Sequence, residues 1–448
     1  MNNAKRNFYY GSAAFALGMP TLPLMVHVPV IYAENLGIGL VATGLALFLA
    51  RLFDVISDPV IGMVCDKTLT INGKSIGRRK PIIFVGAMVA GTGAILLMNP
   101  PSNANFMFLL IASIVLYLGW TLISIPYQAW AADLSNNYSD KTSITATREF
   151  FLLAGLLVAG IIPAIMGYFG YDEMRSISII GWVMILSGIP FFYLLLKKIP
   201  EVRNSKFNQN ETIFFSIQDL FKNIPFIRLL SGWFINSAAN GIPAVLFIIY
   251  MKDFLKADEF ERGMLTLIYF LSGIIFIPFW LFLSKSYGKH TIWCCSMAVA
   301  CIAFSAVPLL SEGELFGFFI ITIITGAALG GDLVIPPSMQ ADVVEYEVMR
   351  TKSDRTGILF SLWTMASKIA LAFSILIAFT LLSLLDFSVV SDGPKNLIAL
   401  SMIYSILPVV LKIAVIVIIW SYPLTQQKQL IISKRVVILK QRMVKDEE

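Results

Sequence analysis

Residues 51–68 read RLFDVISDPVIGMVCDKT, and three charges, Arg51, Asp54 and Asp58, interrupt an otherwise apolar run over residues 38–64. Their i, i+3, i+7 spacing places all three on one face of a helix. A run this long is a membrane span, since crossing the hydrocarbon takes about 20 apolar residues whose backbone groups bond within the helix. A charge near the centre of such a span costs roughly 2.5–3.5 kcal/mol on insertion scales, so these residues require partners or a task.

The rest of the chain agrees with a bilayer solvent. Of 448 residues, 57% are hydrophobic and 14% charged. The mean hydropathy is +0.77, too apolar for a soluble chain of this length. Apolar runs at 8–33, 38–64, 81–98, 105–133, 144–168, 176–196, 226–251, 263–283, 291–310, 315–341, 357–385 and 396–421 predict twelve spans. The first is longer than a signal-peptide core and lacks a small-residue cleavage site, so it reads as a retained span.

Lys and Arg crowd alternate connections: Lys5, Arg6, the 74–80 cluster, Lys141, Lys197, Lys198, Arg203, Lys206, Lys222, Lys285, Lys289, Arg350, Lys352, Arg355 and the 428–445 tail lie on one side. By the positive-inside rule that side, with both termini, faces the cytoplasm of a cell inner (plasma) membrane. The asymmetry accounts for the net charge of +6 and removes it as an argument for a nucleic-acid partner.

Cys65, Cys294, Cys295 and Cys301 have no metal-ligand spacing, and His27 and His290 stand far apart, so neither a zinc site nor a structural disulfide is expected. His27 reads as a packed or lipid-facing residue of the first span. No GxxxxGK[ST] loop is present, and no nucleophile or cofactor motif appears in the cytoplasmic segments, which argues against an ATPase or another enzyme. No cofactor is expected, and a monomer is.

The polar stretch 197–225 divides the chain into a half at 1–196 and a half at 226–425, followed by a basic tail at 426–448. The halves echo each other at an offset of 209–211 residues. SIPYQAWAADL (124–134), with Asp133 then Arg148, matches VIPPSMQADVV (334–344), with Asp342 then Arg355. GRRKP from Gly77 matches GKHTI from Gly288. Two parallel six-helix halves are the all-α architecture of the major facilitator superfamily, whose substrate site lies near the bilayer midplane between the repeats.

Arg51 can pair with one of the two carboxylates; a cation would satisfy both, because carboxylate and hydroxyl oxygens suit Na⁺ or a proton. Pro59 leaves the carbonyl of Val55 without its helical donor. The competing reading is a structural Arg51 pair with Asp58 solvated near the cytoplasmic mouth. Lys368 lies too deep in the eleventh span for easy snorkelling. For Arg148, positive-inside anchoring and substrate contact both stand, and for Lys412, snorkelling and a packing pair. Asp332, on the repeat partner of the fourth span, is placed by symmetry opposite the cation site.

RLFDVISDPVIGMVCDKT with GRRKP resembles the helix II and loop 2–3 pattern of the glycoside-pentoside-hexuronide:cation symporter family, the melibiose-permease-like branch of that superfamily. PPSMQADVVEYEVMRTKSDRTGILFSLWTMASKIALAFS (336–374) is similar to its helix X to XI segment. The resemblance implies cation-coupled symport of a small organic solute by alternating access, with H⁺ or Na⁺ as coupling ion. It assigns Asp54, Asp58 and Thr121 to the cation site, where Ser57 and Ser124 are further candidates, and Arg148 and Lys368 to the substrate side, where Gln128 and Tyr127, and by symmetry alone Asp332, are further candidates. Arg51, Asp66, Arg78, Arg79, Asp133, Asp342 and Arg355 are assigned to gating latches.

The chain also departs from the pattern. Carboxylates that hold sugar hydroxyls in the family are replaced around Gly18 and at Ser124, and Gln128 replaces a stacking tryptophan. Sugar recognition needs convergent polar groups and usually an aromatic face, so a galactoside is disfavoured. Losing a carboxylate at Ser124 weakens Na⁺ binding or favours H⁺. The apolar first span (LGMPTLPLMVHVPVIY, 17–32) points instead toward an amphipathic solute such as the lysophospholipid carried by one branch of the family, or toward an exporter of the same fold.

Overall fold

A computed structural model describes residues 2–21, 23–28, 31–32, 36–66, 69–71, 74–135, 137–171, 173–201, 219–385 and 396–445. The chain is helical apart from one short antiparallel ladder. The helices are α1 (Asn3–Gly11), α2 (Ala13–Gly18), α3 (Leu40–Asp66), α4 (Lys80–Met98), α5 (Phe106–Asp133), α6 (Tyr138–Tyr168) and α7 (Glu173–Lys198), then α8 (Ile224–Ile249), α9 (Glu259–Tyr287), α10 (Lys289–Ser305), α11 (Leu315–Thr351), α12 (Thr356–Leu384), α13 (Leu397–Trp420) and α14 (Gln426–Lys445). Strands β1 (Leu69–Ile71) and β2 (Lys74–Gly77) form the ladder between α3 and α4, a detail the helical reading omits; Thr70 faces Ser75 and Ile71 faces Lys74.

Helix starts follow local chemistry. Asn105, Asn223 and Asn396 each accept a hydrogen bond from the backbone N–H three residues on, at 3.0–3.1 Å. Each satisfies a donor the first turn cannot. Asp258 and Glu261 form a reciprocal capping box at 2.7 and 2.8 Å that starts α9.

Nine helices among the described residues are long and apolar enough to cross a membrane. Over residues 3–27 the first run takes the form of α1, α2 and a π-helical turn at Pro23–His27. Helix α11 continues ten residues past its predicted end, to Thr351. At 1.5 Å per residue it is longer than the hydrocarbon is thick. The central 197–225 stretch lies mostly outside the described residues, and the basic tail is the helix α14.

The chain forms two compact units. One comprises residues 1–210, 344–362 and 433–448; the other comprises 211–343 and 363–432. In the first, the core runs through Tyr10, Leu97, Leu116, Tyr127, Trp130 and Ile180, and in the second through Leu246, Tyr250, Phe318 and Tyr404. The hydrocarbon is as apolar as leucine, so helix association inside it depends on close approach and polar bonds. Close approach is visible in the first unit at Gly18 of α2 and Gly155 of α6. A Cβ on Gly18 would lie 2.0 Å from the Leu152 carbonyl oxygen, and one on Gly155 2.0 Å from that of Phe15. Gly93 and Gly119 seat α4 against α5 in the same way.

A side chain at Gly18 therefore has to separate two backbones. Gly18→Ala is expected to cost about 1–3 kcal/mol, the range for overpacking, seen as a lower midpoint of thermal unfolding in detergent. Gly91→Ala, where nothing lies within 4 Å, is expected to leave the midpoint nearly unchanged.

Candidate functional site

Helix α3 is amphipathic in the inverse sense of a soluble helix. Phe48 and Ile56 are 62% and 64% exposed, whereas Asp54 and Asp58 are 2% and 0% exposed. Outward apolar residues suit lipid, and the carboxylates turn inward onto α5. There the Thr121 hydroxyl reaches Asp54 Oδ1 at 2.6 Å and Asp58 Oδ1 at 3.1 Å. The Thr121 hydroxyl thus lies between two buried carboxylates, and the three hard oxygens gathered there are donors of the type that a proton or Na⁺ takes. Arg51 Nη1 stands 3.6 Å from Asp54 Oδ2, but its side chain is 47% exposed and stacks over the Tyr117 ring at 4.2 Å. The arginine partners the rim of the site and leaves its floor to the carboxylates. Burial of Asp58 overturns the reading of a solvated carboxylate at the cytoplasmic mouth.

The remaining assignments divide. Ser124, buried, and Gln128, half-buried, follow Thr121 along one face of α5. Ser57 turns away: its hydroxyl donates to the Asp54 backbone carbonyl at 2.9 Å, a local back-bond in α3. Tyr127 is 1% exposed, its hydroxyl donates to the Tyr10 carbonyl at 2.5 Å, Tyr10 returns the bond at 2.7 Å, and the rings stack at 4.5 Å. Tyr127 thus clasps α1 to α5, its hydroxyl proton engaged by the Tyr10 carbonyl. Arg148 is buried and bonds to Glu149, Nε to Oε1 at 2.9 Å, so it is not a surface anchor. Around Gly18 the close contact with Leu152 leaves no room for any side chain, carboxylate included.

In the second unit, Asp332 is enclosed. Its oxygens accept from Asn236 Nδ2 (2.9 Å to each), Asn240 Nδ2 (2.7 Å) and Trp293 Nε1 (2.6 Å), and Lys412 Nζ lies at 3.3 Å. Lys412 is therefore a packing pair and not a snorkelling residue. The Asp332 carboxylate thus finds its partners within its own unit. Lys368 is half-buried near the middle of α12, beside Ser367, whose hydroxyl accepts from Trp233 Nε1 at 2.5 Å.

The latch residues come together within each unit. Arg79, 1% exposed, donates to the Ala129 carbonyl at 2.8 Å and to Asp133. Its repeat counterpart Lys289 binds Asp342 Oδ2 at 2.6 Å. Arg78 bonds to Asp354 at 2.5 Å and Arg355 to Glu347 at 3.3 Å. Asp66 ends α3, its side chain outside the described residues. Sequence reasoning missed Glu201, whose Oε1 accepts the backbone N–H of Arg78 at 2.8 Å and that of Arg79, and the buried Lys141–Glu345 pair at 2.7 Å. Pairing distant charges of ordinary loop composition needs the fold.

Burial alone would raise the Asp354 carboxyl, but Arg78, with Arg79 and the Thr356 hydroxyl, holds it far below the usual carboxylate range. The folded value lies below the unfolded one near 3.9. The stabilisation is therefore complete above about pH 4 and lost only as pH falls through the folded value. Arg78→Ala is expected to lower stability by about 3–5 kcal/mol because it strands a buried carboxylate. The double variant Arg78→Ala/Asp354→Ala should recover much of that loss, and neither effect should change between pH 5 and 8 in thermal unfolding.

The family model for MFS/sugar transport proteins matches residues 9–426. Among curated relatives, the chain is 23% identical to the uncharacterized symporter YnaJ of Bacillus subtilis, over 79% of this chain and 77% of that one. It is 20% identical to the putative glycoside/cation symporter YagG of Escherichia coli (96% and 94%). It is 21% identical to the sodium-dependent lysophosphatidylcholine symporter 1 of Mus musculus (86% and 78%). The solved E. coli fucose:proton symporter FucP superposes with a TM-score of 0.70 at 10% identity, over 94% of this chain and 98% of that one, a likeness of fold alone. The chain belongs to the MFS/sugar transport protein family, as a multi-pass major facilitator transporter and not an enzyme.

Proposed function

We propose that this transporter is a symporter that couples the inward movement of a small organic solute to Na⁺ or H⁺ bound at Asp54 and Asp58. The observation that carries the reading is the buried carboxylate pair bridged by the Thr121 hydroxyl. Two carboxylates buried side by side favour a bound positive ion, and binding one favours the state that closes over substrate. In this reading transport proceeds by alternating access, and Gln128 and Arg148 help form the solute path. The latches at Arg79, Lys289, Arg78 and Arg355 hold the cytoplasmic ends of the helices. The protein sits as a monomer in a cell inner membrane with both termini in the cytoplasm.

The solute has two candidate chemistries. A sugar is supported by the glycoside/cation relative. An amphipathic lysophospholipid is supported by the lysophosphatidylcholine symporters, by the apolar residues of the first span, and by Gly18, where no carboxylate fits. The second reading is the better matched, because this chain offers few convergent hydroxyl partners among the residues expected to bind a sugar.

Thermal stabilisation of the purified protein by a panel of sugars and lysophospholipids separates the two, since a ligand that binds the native state raises the midpoint with concentration. Lysophosphatidylcholine is expected to stabilise and melibiose not. In proteoliposomes, an inward Na⁺ or H⁺ gradient is expected to stimulate uptake of the stabilising solute. Asp54→Asn and Asp58→Asn should each remove that stimulation, a loss of about 1–3 kcal/mol of coupling or ~5–150-fold. An undiminished gradient response in both variants would refute the assignment.

A further inference from the structure

The Asp332 cluster is built like a cation site. Asp332 stands at the repeat position of Thr121, 211 residues further on, so the carboxylate of this half sits where the other half has the bridging hydroxyl. Its surroundings divide by polarity. The Asn236 amide turns its nitrogen to both Asp332 oxygens at 2.9 Å and its oxygen to Lys412 Nζ at 2.8 Å. The ammonium therefore lies between Asn236 Oδ1 and Asp332 Oδ2, the second at 3.3 Å. Carboxylate and amide oxygens are the hard donors that an alkali cation takes. Lys412 and Asp332 are only 9% and 5% exposed, and the cluster lies within one unit. Replacing a buried pair of this kind with apolar side chains is often neutral or stabilising, so stability alone does not account for it.

We propose that Lys412 is a tethered cation. Its ammonium permanently occupies, in the second half of the repeat, the kind of oxygen site that Asp54, Asp58 and Thr121 offer to a mobile ion in the first. The consequence is stoichiometric: one half binds and releases an ion during transport, the other carries a covalently attached charge, and each cycle couples a single cation. The stoichiometry rests on the proposed role of Asp54 and Asp58; the site itself does not.

The test uses the full-length protein with Asp54→Asn and Asp58→Asn in the background, so that the first-half site contributes nothing. Adding Lys412→Ala vacates the second. Thermal unfolding is followed while methylammonium chloride or NaCl is titrated, with choline chloride, too bulky to enter, matching ionic strength. The expected result is a rise in the unfolding midpoint that saturates with methylammonium or Na⁺, is absent with choline, and disappears when Asp332→Asn is added. No response to either cation, or a response that survives Asp332→Asn, overturns the proposal. Lys412→Met/Asp332→Asn, neutral on both sides, controls for folding. If it is recovered from membranes while Lys412→Ala is lost even when methylammonium is present throughout, the cluster needs charge balance but accepts no free cation, which also overturns it. Failure of this test leaves coupling at Asp54 and Asp58 standing, and failure of gradient-driven uptake leaves the second-half site standing.

Discussion

Charge inside the hydrocarbon layer has to be compensated by the chain itself, and most of this structure can be read as the means of doing so. Water is absent at that depth, so a carboxylate there is held by hydroxyl, amide, indole or ammonium groups on neighbouring helices. Asp332 meets four such donor groups from three helices. Asp54 and Asp58 both meet the Thr121 hydroxyl of α5, with Arg51 at the exposed rim.

Helix packing in this setting depends on the same scarcity. The hydrophobic effect does not drive one apolar helix against another in lipid, so association relies on close backbone approach and on polar clasps. Gly18 and Gly155 bring α2 against α6, and the reciprocal Tyr10–Tyr127 bonds join α1 to α5.

Much of the fold was legible because the bilayer imposes a simple rule on sequence. Apolar runs marked the helices, and the charges that interrupt residues 38–64 marked the face that α3 turns inward. What the runs did not reveal has definite causes. Helix α11 runs on to Thr351 because polar residues such as Glu345 and Glu347 propagate a helix as well as apolar ones do, while hydropathy registers only the buried part. The Tyr10–Tyr127 clasp carried no signal, because a tyrosine looks the same in sequence whether its hydroxyl faces a cavity or a backbone carbonyl. The pairing of Asp332 with Lys412 across 80 residues depends on how α11 and α13 pack. Glu201 carried no signal, since a glutamate that caps the start of α4 from 122 residues away resembles any loop acid.

The central claim is that the buried pair on α3 changes its electrostatic partner when the coupling ion binds. Cation-induced infrared difference spectroscopy of the purified protein observes those carboxylates directly. Addition of the coupling ion is expected to shift carboxylate stretching bands, or to create a protonated carbonyl band if the ion is H⁺, and the feature should vanish in Asp54→Asn/Asp58→Asn. An identical difference spectrum in wild type and the double variant would contradict the account.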